Sequence, residues 1–138
     1  MRSRPLKWAT IAGAAANVLL VMVLPPALAQ ESPGLSEMRA AEQQAGAAAD
    51  AQDLQQVKAH LQQALNCLVG RGASEYRLKA GDPCKGASAL KSLPSGSVNK
   101  IRVQKAIRLA SVGVTFHDFK PAHYTAQAVQ AVLEEGTR

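Results

Sequence analysis

Residues 53–68 read DLQQVKAHLQQALNCL. Leu54, Val57, Leu61, Ala64, Leu65 and Leu68 recur at steps of three and four, which lines them along one side of an α-helix. Asp50 or Asp53 can cap this helix, and Gly70 and Gly72 follow as a stop. His60 and Cys67 are seven residues apart and share a side of this helix, at the edge of the apolar stripe. The spacing therefore predicts a helix from Asp53 to Leu68 with Cys67 in its last turn.

Working outward, Ser36–Ala49 is rich in Ala, Gln and Glu, all good helix formers. Its only large apolar residue is Met38, so its stripe is mainly alanine and the helix either packs closely or frays. On the other side, residues 70–97 carry Gly70, Gly72, Gly81, Gly86, Gly96, Pro83 and Pro94 and no strand-length alternation. They read as a long loop, with a short helical turn at Ala87–Leu93. Arg71, Arg77, Lys79, Lys85 and Lys91 make that loop basic. Ser97 or Asn99 caps a further helix to about Val112, with Val103, Ala106, Ile107 and Ala110 on one face. Ile101, Leu109 and Val112 form a second apolar patch, interleaved with Lys100, Gln104, Lys105 and Arg108. Pro121 suits the first turn of a last helix, Pro121–Glu135. Four helical stretches without a strand signal argue for an all-α fold, a small bundle of about four helices with one disulfide-tied loop.

The chain has 138 residues, 47% of them apolar but only 4% aromatic. That is enough for one modest domain and excludes a multidomain enzyme, a polytopic membrane protein and a large β-sandwich. Arg2, Arg4 and Lys7 precede an apolar run from Trp8 to Leu24, Pro25 and Pro26 end it, and Ala27-Leu28-Ala29 offers small residues at a cleavage site. This is the layout of a secretory signal peptide over residues 1–29; an uncleaved anchor is the alternative. The expectation is a single helical domain at 30–138, in the periplasm or secreted, which meets a membrane only during export. Without the three leader cations the formal charge of +6 falls to +3, and what remains is segregated. Residues 31–57 hold Arg39 against Glu31, Glu37, Glu42, Asp50 and Asp53. Residues 58–120 hold eleven basic and three acidic residues. Nucleic acid is a poor fit, because export removes the chain from it and no aromatics interleave with the cations.

Cys67 and Cys84 are the only cysteines, and an even count in an oxidising compartment favours a disulfide. Neither C-x-x-C nor C-x-x-C-H occurs, so a redox pair and covalent haem are not indicated. His60, His117 and His123 are the only histidines, and Asp118 adjoins His117. These four are the candidate ligands for a transition metal, the one cofactor the sequence suggests. The alternative places His60 beside the disulfide and packs His117 beside Phe116 and Phe119. No G-x-S-x-G elbow, phosphate-binding glycine loop or paired catalytic carboxylates are legible, so no catalytic residue is assigned and the chain reads as a non-enzyme. The leading expectation is an exported binding or accessory protein. It would meet a protein partner, or a second copy, through Ile101, Leu109 and Val112. A periplasmic metal-binding protein is the second reading.

The stretch from His60 through Asn66-Cys67 to Gly70, returning as Pro83-Cys84-Lys85-Gly86, resembles small exported bacterial proteins of uncharacterised function. In these a helix ends in H-x-x-x-x-x-N-C-x-x-G and a loop returns as P-C-x-G. The resemblance spans about 27 residues and implies the helical fold and its staple, but no activity. A weaker likeness is to small periplasmic metal-binding proteins with repeated H-A-x-x-A helices, from which this chain departs in having three histidines rather than many. Intact mass of the protein isolated from the extracytoplasmic fraction is expected to begin at Gln30 and to lie about two daltons below the reduced value, as one disulfide requires.

Overall fold

The computed structural model describes residues 31–138, so the leader expected at 1–29 lies outside the described residues. Five α-helices follow one another among the described residues: α1 at Leu35–Asp50, α2 at Leu54–Val69, α3 at Ala89–Ser92, α4 at Val98–Gly113 and α5 at Phe119–Thr137. A single 3-10 turn, Leu78–Ala80, interrupts the loop before α3. No strand occurs among the described residues. The fold is a small all-α bundle in which α1 packs between α2 and α5, and α4 closes against α5 and α2.

Local chemistry sets the helix starts. The Asp53 carboxylate accepts from the backbone N–H of Gln56 at 2.9 Å, capping α2. Ser88 and Ser97 do the same for α3 and α4, accepting from Lys91 N–H at 3.1 Å and Lys100 N–H at 3.2 Å. Helix α5 begins at Phe119, two residues before the expected Pro121. Pro121 becomes the third helical residue, where the N–H it lacks has no intrahelical acceptor in any case. At the entry to α1, Gly34 adopts φ 87°, and a Cβ there would stand 2.8 Å from Leu93 Cγ.

Burial explains why alanine serves as core. Met38, Ala41, Ala45 and Ala48 of α1 are fully buried, opposite Val57, Leu61 and Leu65 of α2 and Val129 and Leu133 of α5. Small side chains let the helix axes approach, and the larger residues of the neighbours fill the space between. The same closeness recurs at Gly113 of α4, where a Cβ would lie 2.8 Å from Leu61 Cδ1 and 2.9 Å from Thr125 Cγ2. Helices α1 and α5 run antiparallel, with Thr137 Oγ1 donating to the Glu42 carboxylate. Asn99 Nδ2 donates to Gly136 O at 3.3 Å. The start of α1, the start of α4 and the end of α5 therefore share one pole of the bundle.

Because the α1 seam has no spare volume, Ala45→Leu is expected to cost roughly 1–3 kcal/mol. Ala59→Leu, at an exposed position of α2, is expected to stay within about 0.5 kcal/mol. Urea unfolding of both variants checks the contrast.

Candidate functional site

From Ala64 to Gly70 every residue of α2 and its cap is buried, whichever side of the helix it occupies. The core covers one side and residues 70–97 cover the other. Cys67 is fully buried, not at the margin that the apolar stripe suggested, because the loop folds over it. Its bridge to Cys84 spans 5.2 Å between Cα atoms. Gly70 takes φ 73°, and a Cβ there would lie 2.5 Å from Ser88 Cβ, so only glycine lets the returning chain pass. The Ser88 hydroxyl then donates to Leu68 O at 3.1 Å.

The loop has no ladder of its own, so α2 side chains satisfy its backbone. Asn66, fully buried, donates to Arg77 O at 2.9 Å and Gly81 O at 2.7 Å, while its Oδ1 accepts from Arg77 N–H at 2.9 Å. Gln62 donates to Glu75 O at 2.8 Å and Gln63 to Ala80 O at 2.7 Å. Tyr76 Oη donates to Asp82 Oδ2 at 2.5 Å, which raises the Tyr76 pKa above its ordinary value. The Arg71 guanidinium stands 3.9 Å from the same oxygen, and Asp82 Oδ1 is buried with no hydrogen-bond partner among the described residues. The Ser74 hydroxyl, donating to Glu75, lowers that carboxyl below its usual range.

The five loop cations are not convergent on a pocket. Arg71, Arg77, Lys79, Lys85 and Lys91 are all exposed, Arg77 donating to Ser74 O and Lys91 to Arg71 O at 3.4 Å. Arg77 does line a 170 Å³ cleft with Gln62, Glu75, Ser111, Val114 and Thr115, which joins the loop to the C-terminal end of α4.

The candidate metal ligands are not brought together. Among the described residues no group of three or more His, Cys, Asp or Glu side chains converges as a metal site would require. His60 faces α1, its Nδ1 3.0 Å from Gln44 Oε1, rather than lining the disulfide. His117 and Asp118 are exposed on the connector before α5, so His117 is not packed away beside Phe116 and Phe119. His123 instead stacks on Phe119, with ring centroids 5.1 Å apart, and its Nε2 lies 3.1 Å from Gln127 Nε2. The scatter has a simple cause: α2 turns His60 toward α1, whereas His117, Asp118 and His123 belong to the entry into α5.

The second apolar patch of α4 is real but differently composed. Ile101 and Val112 are exposed, at 48% and 53%, whereas Leu109 is half-buried against the core. Val98, 61% exposed, takes its place one turn before Ile101. Lys105 and Arg108 lie between, and neither makes an ion pair or hydrogen bond among the described residues. Val98, Gln62 and Gln63 carry no signal in the apolar stripes, and Asn66 figures in the sequence only within the Asn66-Cys67 motif, with no role attached.

Asn66→Ala removes four hydrogen bonds, one of them from Gln62 Nε2, and leaves part-buried backbone groups unpaired, an expected loss of about 2–4 kcal/mol. Hydrogen exchange should accelerate at Arg77 first, since its N–H loses its acceptor. Reduction of Cys67–Cys84 is expected to cost about 3 kcal/mol in the chain-entropy view. Compared with known proteins, the chain matches no family model, no curated protein and no solved structure.

Proposed function

We propose that this chain is an exported, non-enzymatic binding or accessory protein that works through the outward face of α4. The single observation that carries the reading is the exposure of Val98, Ile101 and Val112 on one side of that helix. These are three of the five large apolar residues exposed among the described residues, the others being Leu78 and Tyr124. A chain so short of large apolar side chains that it builds α1 on alanine nevertheless spends three of them outside its core. Clustered apolar side chains left in water on one face mark an interaction surface more often than scattered ones do.

The remaining chemistry supports a scaffold role for the rest of the molecule. Asn66, Gln62, Gln63 and the disulfide hold residues 70–97 against α2, and the cleft at Arg77 abuts the end of α4. The loop thus braces the helix that carries the exposed face. Placement outside the cytoplasm rests on the leader pattern at 1–29 and on the paired cysteines.

A photo-crosslinking side chain at Ile101 or Val112, introduced in the producing cell, is expected to give one dominant adduct. The same group at exposed Ala59 is expected to give none. Equal labelling at all three positions would refute α4 as the working surface.

A further inference from the structure

The outward face of α4 is as unusual in charge as in apolarity. From Pro83 to His117 the chain carries Lys85, Lys91, Lys100, Arg102, Lys105 and Arg108 and not one acidic residue. Lys105 and Arg108 fall within the exposed stripe, with Ile101 before them and Val112 after, at helical steps of three and four. An α-helix that presents aliphatic side chains and free cations on the same outer side, with no acids, suits a partner that is apolar beneath and anionic above.

We propose, building on the reading of α4 as the working surface, that its partner is an anionic lipid membrane, onto which Val98, Ile101 and Val112 settle while Lys105 and Arg108 meet lipid phosphates. The unrelieved positive charge beside the aliphatic stripe favours an anionic lipid surface, and the apolar face extends beyond α4 itself. Val98 borders a groove of about 500 Å³ floored by Leu93, Pro33 and Pro94, at the pole where α1 begins. Where the sequence alone suggested membrane contact only during export, the folded domain offers a face that keeps that contact afterwards.

The test is flotation of the protein, as recovered from cells and with its N-terminus defined by mass, on vesicles of phosphatidylglycerol with phosphatidylcholine and of phosphatidylcholine alone. Binding is expected on the anionic vesicles, to be released by high salt, and to be at least tenfold weaker on neutral ones. K105E/R108E is expected to weaken anionic binding about tenfold or more, and Ile101→Ser to weaken it severalfold, each with an unchanged circular dichroism spectrum. Binding that is equal on both vesicles, or indifferent to these variants, overturns the proposal. So does the absence of flotation: if Ile101 then still crosslinks to a single protein, the lipid assignment falls while α4 stands as the working surface. If it crosslinks to nothing, both fall.

Discussion

A buried amide holds this molecule in shape. Residues 70–97 form no ladder, yet their carbonyls and N–H groups must be satisfied once they lie against a helix. Asn66 meets that need at the point of greatest burial, accepting from and donating to Arg77 and donating to Gly81. Gln62 and Gln63 extend the same service to Glu75 and Ala80. The disulfide closes the segment in the unfolded chain as well, but it does not choose how the segment lies. The amides do. With the loop fixed, Gly70 and Ser88 can cross, α3 can begin, and Leu93 can close over Gly34 at the entry to α1.

The division between what the sequence declared and what it concealed follows from this arrangement. Periodicity announced α2 and α4 because each presents one continuous apolar side to the core, Pro121 announced α5, and of the two cap candidates before α2 and before α4 the backbone adopted Asp53 and Ser97. Helix α1 was legible from composition, since alanine, glutamine and glutamate favour little else. The last turn of α2 was not, because a helix buried all round by a loop shows polar residues where a rule based on stripes expects solvent. Cys67 looked peripheral for that reason. The histidines illustrate the opposite limit. Their proximity in sequence around residue 117 carried no information about His60, whose direction depends on how α1 docks.

The α4 patch was half legible. Ile101 and Val112 stood out as apolar residues off the core face, and both are exposed. Leu109 belongs to the same side by angle but tips toward the core, and Val98 was passed over because it opens the helix. One turn of helix and a few degrees of roll decide which aliphatic groups reach water, and those depend on the tilt of α4 against α5. The Arg102–Glu135 ion pair at 3.7 Å and the Asn99–Gly136 hydrogen bond record that tilt.

The antiparallel pairing of α1 with α5 has a consequence for how the chain reaches its fold. Synthesis runs from the N-terminus, so α1 is made first and the second of its two neighbours last. Until residues 119–137 emerge, the alanine face of α1 has only α2 to rest on, and alanine alone buries too little to hold a helix there. The bundle therefore grows around α2 and its tethered loop, with the earliest helix the last to be locked. Hydrophobic surface stays exposed longest at Met38 and Leu133, both toward the pole of the seam that only the completed chain can close.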